Sequence, residues 1–580
     1  MFPVLVLGFR CRVVYYLDMA SIVGKKQGGQ TYYYLVESAR VDGKPRIVSQ
    51  QYLGSAAEVA AKLSGAAVGE PVRTQHKRFG DLAAVWSMLE RLDVAGVIDA
   101  VAPRRSDAAA SVGTYIALAT ANRIVAPCSK LAFADWWATT AGPRWTRLRA
   151  GALDHRRFWT AMDRLDEPTL RAIESELGRR IVAEFDLDLS GLVLDMTNFA
   201  TFIDTSNTRA PIAQRGKAKQ KRVDLRLVGL ALVVTRDGAI PLLSHAYPGD
   251  RPDVTQFSSV IDQLVSRYRD LAQSVDSLTV VYDAGQNSAT NHELVEETGI
   301  GFVGSLPPSD HANLLSIPAS QYRDVDAEAY PGLTCLDTQV TALGVRRRAV
   351  LTHSPTLHAA QSRGFDQTLA KARRRLTELQ DRLARGKTRR DRAAVEADID
   401  AITKPRWVRD VLKPTLTGQR PAELRMTWRT DARARRRLEE RIFGKRILFT
   451  NRDHWTTAEV VAAYRSQSEV ESGFRQMKDP HVVSFGPMHH WTDSKIRVHV
   501  FYCVLALTIA HLMRRQAEQA GLHLSVRELL GTLAGIEETV LLYHDGGKGR
   551  PRARRMLTDT TATQQQLAEV FGIDRYAPTR

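Results

Sequence analysis

From Trp455 to Pro480 the chain reads WTTAEVVAAYRSQSEVESGFRQMKDP, and its apolar positions recur with a helical period. Thr456 with Glu459 three residues on is a capping-box start, and Asp479-Pro480 is a stop, so the spacing predicts one continuous helix. At about 100° per residue, Val470, Phe474 and Met477 form an apolar stripe. Tyr464, Gln467, Glu471 and Lys478 fall within roughly 60° of one another beside it, at the edge of the buried face.

Upstream the pattern changes several times. Thr31 to Leu53 holds two β-rich segments around Asp42-Gly43, a hairpin signal. Arg78 to about Glu184 has the three- and four-residue spacing of helices and carries five of the nine tryptophans, Trp86, Trp136, Trp137, Trp145 and Trp159, expected in a core. From Leu187 the pattern becomes strand-like. Leu192, Val193 and Leu194 run into Asp195, which places that acid at a strand end. Two long strands turned at Asp237-Gly238 follow, then a helix from Val254 to Leu271. A buried strand, Leu278 to Tyr282, ends at Asp283, with Gly285 and Asn287 turning into a helix, and Ile300 to Leu306 is a further strand.

Between Pro307 and Trp455 the chain reads as an insertion. Leu369, Leu376 and Leu383 repeat every seven residues, and Val395, Ile399 and Ile402 share one face. This predicts a helical hairpin broken near Gly386, expected to be mostly solvated because it is so highly charged. Leu424 to Trp428 and Arg446 to Thr450 read as strands that close it. Val498 to Met513 is the longest apolar run, but His499 and His511 interrupt it and it is too short for a membrane span, so it reads as a buried helix. Gly546 to Arg555, GGKGRPRARR, reads as a flexible basic tail. The resulting division is 1–77, 78–186, 187–307, 308–455, 456–515 and 516–580.

Composition narrows the class. Apolar residues make up 44% and charged residues 25% of the 580, an ordinary globular mixture with room for several domains. Lys and Arg exceed Asp and Glu by 17, which points to a polyanionic partner, nucleic acid before membrane. Arg209 to Arg226, RAPIAQRGKAKQKRVDLR, is basic enough to face such a partner, or is simply a solvated loop. Cys11, Cys128, Cys335 and Cys503 are far apart, indicating neither a zinc site nor a disulfide framework and fitting a reducing, intracellular compartment. The opening MFPVLVLGF lacks a basic leader, which argues against a signal peptide, and Met19 offers an alternative start.

Each acid has a plain reading: Glu471 as a surface carboxylate paired with Arg475 at i+4, and Asp195 as a turn former. Together they suggest more. Tyr464, Glu471 seven residues on and Lys478 seven further resemble the signature of DDE transposases of the insertion-sequence-four (IS-four) superfamily. The segments YLVES, GKPR and YLG near Tyr33, and ANRIVAPCSKLAFADWW with Asn122, Arg123, Pro127, Ser129, Lys130 and Trp136, are similar to its sixteen-thirty-four branch. One position departs from the pattern: arginine usually stands three residues after the tyrosine, where this chain has Gln467. Arg465 points about 160° away from Gln467 and does not replace it.

The resemblance implies an α/β fold with a ribonuclease H-like catalytic core and a large insertion, preceded by a small β-containing module and a helical domain. The order of three strands, helix, strand, helix and strand agrees with such a core. Its topology would bring Asp195 and Asp283 to neighbouring strand ends, with Glu471 arriving from a helix packed on the sheet. Three carboxylates supply only oxygen donors, suited to Mg2+ or Mn2+, and two ions would relieve their repulsion while serving an in-line phosphoryl displacement. The implied activity is cleavage of double-stranded DNA at element ends and joining of the 3′-hydroxyls to target DNA. By resemblance Tyr464 and Lys478, and more weakly Arg475, contact the terminal phosphate. A homodimer assembled on DNA is expected, with no membrane partner and a cytoplasmic, nucleoid-associated location. A nuclease that cuts without joining, and a catalytically silent DNA-binding protein on the same scaffold, remain alternatives.

Overall fold

A computed structural model describes residues 19–41, 44–63, 71–103, 107–216, 224–271, 277–386, 389–543 and 552–579. They fall into two units, one comprising the chain up to Lys77 with Glu538–Thr558 and Pro578–Arg580, the other Arg78–Glu537 with Asp559–Ala577. The N-terminal apolar stretch before Met19 lies outside the described residues.

In the first unit, strands Met19–Gln27, Gln30–Val41 and Lys44–Ser55 form an antiparallel meander. Gly28 and Gly29 both take positive φ, as a two-residue hairpin turn demands. The expected turn at Asp42-Gly43 lies outside the described residues, but the strands on either side pair up to Val41 and Lys44. The segment Arg552–Leu557, expected within a flexible tail, is instead a strand paired with Glu537–Tyr543. Arg555 pairs there with the fully buried Glu538 at 2.7 Å, so at least one arginine of this basic run is anchored.

The second unit is built on one mixed sheet. Its strands are β1 (Gly191–Thr201), β2 (Arg226–Thr235), β3 (Pro241–Pro248), β4 (Thr279–Val281), β5 (Gly301–Leu306), β6 (Arg323–Asp324), β7 (Thr334–Ala342), β8 (Val345–His353) and β9 (Lys445–Thr450). They lie in the order β6-β7-β8-β9-β5-β4-β1-β2-β3. β1 pairs in parallel with β4, and β4 with β5, while β2, β3 and β9 are antiparallel to their neighbours. The helices Asp253–Leu271 and Ala289–Thr298 make the two crossovers. The first strand therefore does lie beside the fourth. β1 is mostly buried along its length, and the helix Gln467–Met477 packs against it.

The helix Asp493–Gln519 is 94% buried over its most apolar 18-residue window, and it packs on both the helix Val112–Val125 and β3. Its apolar run thus serves as core. Trp86, Trp136 and Trp137 gather with Phe133 in the helical region.

The insertion departs from expectation. The hairpin is present, as helices Pro355–Ala384 and Arg392–Thr403 with Gly386 at positive φ between them. It is not a solvated arm, however: Leu369, Leu376, Leu383, Val395 and Ile399 share a core with Leu424, Met426, Leu438 and Phe443. The two-stranded ribbon Leu412–Thr417 with Arg425–Thr430 closes over the hairpin, and β9 returns the chain to the main sheet.

His511, 3% exposed on the long buried helix, faces the Ala239 carbonyl from Nδ1 at 2.8 Å. Burial, then the charge of Arg514, lower its pKa from the ordinary 6.5 to about 4. Because the unfolded chain takes up the proton first, the stability tied to this side chain is intact above about pH 6.5 and is lost as pH falls toward 4. Urea unfolding across that window should show His511→Gln losing up to about 1.4 kcal/mol less per pH unit than the parent; equal slopes would contradict this.

Candidate active site at the ends of the parallel strands

Register decides where the acids lie. Val193 of β1, Val281 of β4 and Val303 of β5 are partners across three parallel strands. Two residues further on stand Asp195, Asp283 and Ser305, on the same face because side chains alternate with a period of two. Ser305 Oγ donates to Asp283 Oδ1 at 2.9 Å, so the row continues between β4 and β5.

Asp195 is not at the end of its own strand. β1 continues to Thr201, with Asp195 opposite Leu232 of β2. It stands beyond the end of the parallel ladder only, since β4 stops pairing at Val281. Its Oδ1 accepts from the Met196 backbone N–H at 2.7 Å.

The expected single helix is two, Thr457–Arg465 and Gln467–Met477. The predicted capping box of Thr456 and Glu459 is present. The break falls at Ser466, whose hydroxyl donates to the Ala463 carbonyl and competes with the helical ladder. Val470, Phe474 and Met477 are buried as expected, and the second helix packs against β1.

Each end of this pair is tied to the sheet. Tyr464 Oη donates to Asp283 Oδ1 at 3.2 Å and accepts from Arg446 Nη1 at 3.1 Å. Burial, and then the nearby Asp283 carboxylate, raise the Tyr464 pKa, which keeps it a donor. At the other end Lys478 Nζ donates to Thr197 Oγ1 at 2.8 Å, two residues past Asp195 on the same face. Lys478 also stands 5.5 Å from the centroid of Phe199.

Glu471 lies midway in sequence between those anchors. It is exposed and lines a cleft of about 410 Å3 together with Arg446, Tyr464, Arg465, Gln467 and Ser468. A second cleft, of about 320 Å3, holds Asp283 and Ser305 and shares Tyr464 and Arg446 with the first. Among the described residues no three His, Cys, Asp or Glu side chains stand close enough to hold one ion. The two aspartates are thus brought into one row, and Glu471 stands apart in the neighbouring cleft. The expected pairing of Glu471 with Arg475 does not form; Arg475 is exposed.

Arg446 and Ser305 escaped the sequence reading. Arg446 stands with Lys445 just ahead of the apolar run Ile447, Leu448 and Phe449 of β9, a weak signal that gains meaning only once β9 is known to flank β5. Gln467, at the position where the resemblance leads one to expect arginine, is buried, with no partner for Nε2 among the described residues. Arg465 instead lies over the Tyr330 ring, 4.5 Å from its centroid.

No family model matches the chain, and no curated protein does. Among solved structures it is similar to a cryo-EM structure of a piggyBac transposase synaptic complex with hairpin DNA, at 9% identity and a TM-score of 0.35, covering 80% of this chain and 82% of that one. A likeness of that size carries no weight for fold or function.

Tyr464→Phe removes one donor to Asp283 and the acceptor for Arg446. It should lower the free energy of unfolding by about 1 kcal/mol, read by urea denaturation at pH 7; an unchanged value would mean that these hydrogen bonds do not hold the helix to the sheet.

Proposed function

We propose that the chain is a DDE-type DNA transposase, related to the IS-four superfamily and nearest its sixteen-thirty-four branch, with a ribonuclease H-like catalytic core. One observation carries the reading: Asp195 and Asp283 share a register on one face of adjacent parallel strands, under a helix pair tied to both strands through Tyr464 and Lys478. The strand order and the excess of 17 positive charges support it.

The donor set suits a hard divalent cation, because Asp195, Asp283 and Glu471 offer oxygen alone. Two ions, Mg2+ or Mn2+, would supply charge neutralisation and polarise the attacking and leaving oxygens of a phosphodiester. Asp195 and Asp283 would hold them, and Glu471 would complete the set by turning from its cleft when DNA binds. The chain's own residues then orient the substrate. Lys478 and Tyr464 contact the terminal phosphate, and Arg475, exposed on the same helix as Glu471, contributes a further cation. The activity is cutting at element ends and joining of 3′-hydroxyls to target DNA. Because two ends must be brought together, the working form is a homodimer assembled on double-stranded DNA in the bacterial cytoplasm, at the nucleoid.

The test uses a plasmid carrying the gene with its native flanks. With Mg2+, the purified chain should nick or excise at the flanks, and Asp283→Asn should lower that rate at least about 100-fold while binding the same DNA. Cleavage that survives the substitution would overturn the assignment. A precleaved end distinguishes a transposase, which joins it to target DNA, from a nuclease that only cuts.

A further inference from the structure

Away from the carboxylate row, a cavity of about 340 Å3 lies between the helical region and the segment that leads into Asp493–Gln519. Arg123, Lys130, His490, His499 and Tyr502 line it. Arg123 is 1% and Lys130 8% exposed, yet Arg123 Nε and Lys130 Nζ have no hydrogen-bond partner among the described residues. Buried donors are almost always paired, so two orphans in one cavity call for an explanation.

The surroundings show what is missing. Arg123 is fixed by its other nitrogens, Nη1 donating to the Gly486 carbonyl at 2.7 Å and Nη2 to that of Cys128. The Lys130 ammonium lies 4.6 Å from the Tyr502 ring centroid and 5.5 Å from that of Phe158. Its attraction to the protein is thus to aromatic faces. Burial, with Arg123 nearby, lowers its pKa to about 7. His499 is held neutral between the Phe485 carbonyl, 2.7 Å from Nε2, and the Tyr502 hydroxyl, 2.5 Å from Nδ1. Burial, followed by Lys130, Arg123, Lys495 and His489, lowers His490 to about 3. The ionisable groups acting on His490 and His499 are cations or other histidines; Lys130 adds two thiols to Arg123.

We propose that this cavity is an oxyanion site, which takes a phosphate group between Lys130 Nζ and Arg123 Nε. A tetrahedral oxyanion offers acceptors in several directions at once, and it would satisfy a point-charge ammonium and a guanidinium N–H together. The site stands independently of the carboxylate row, and its failure would leave the reading of Asp195 and Asp283 untouched. The phosphate belongs either to a nucleic-acid backbone or to a small free anion.

The full-length chain, Lys130→Met and Lys130→Gln are compared in two measurements. Thermal unfolding is followed in inorganic phosphate and in chloride at matched ionic strength, and binding of a short DNA duplex is followed by anisotropy over a range of salt. The parent should gain a phosphate-specific rise in Tm that both variants lose. Duplex affinity about tenfold weaker in the variants, with a salt slope lower by about one, assigns a backbone phosphate. Loss of the phosphate response with unchanged duplex affinity assigns a free anion. A phosphate response and a duplex affinity both indifferent to Lys130 would overturn the proposal. The glutamine variant keeps a polar end and repeats the comparison should the methionine variant fail to fold.

Discussion

The parallel pairing of β1 with β4 is the constraint on which the site depends, because it forces two aspartates into one register on one face. Like charges held on neighbouring strands repel one another. The fold offsets that locally. Ser305 and Tyr464 donate to Asp283, a backbone N–H donates to Asp195, and Arg446 and Lys478 stand on the flanking elements. Such an arrangement is poor economy for stability alone, since a hydrophobic pair on these strands would need none of it. It makes sense where the charges are to be used.

The elements around the row are arranged to hold it open on one side. β5 and β9 extend the sheet past Asp283 and bring Arg446 to the boundary between two clefts. The buried helix Asp493–Gln519 joins the helical region to the sheet and backs the helix that carries Glu471. The insertion leaves the sheet at β8 and returns at β9 with a core of its own, so its helices are folded against a ribbon rather than suspended in solvent.

Much of this was legible in the chain. Long apolar runs ending in polar turns marked β1, β2, β3, β4 and β5 in the right order, because strands buried on both faces leave little ambiguity. The amphipathic stripe of Val470, Phe474 and Met477 was equally plain. What periodicity could not reveal was the break at Ser466, whose backbone angles stay helical and whose cause is a side-chain hydrogen bond. Nor could it place Asp195 in mid-strand, since that depends on how far β2 pairs beyond β4. The pairing of the Arg552–Leu557 strand, the insertion core and the position of Arg446 are set by contacts between distant segments, which local pattern does not carry.

On the proposed function, the row formed by Asp195 and Asp283 gathers divalent ions together with Glu471. Anomalous diffraction from crystals of the DNA-bound chain grown with Mn2+ addresses it directly. The expected result is manganese peaks at ligand distance from both aspartates, with the Glu471 carboxylate turned toward them. Manganese bound only elsewhere, with these three side chains uncoordinated on DNA, would contradict it.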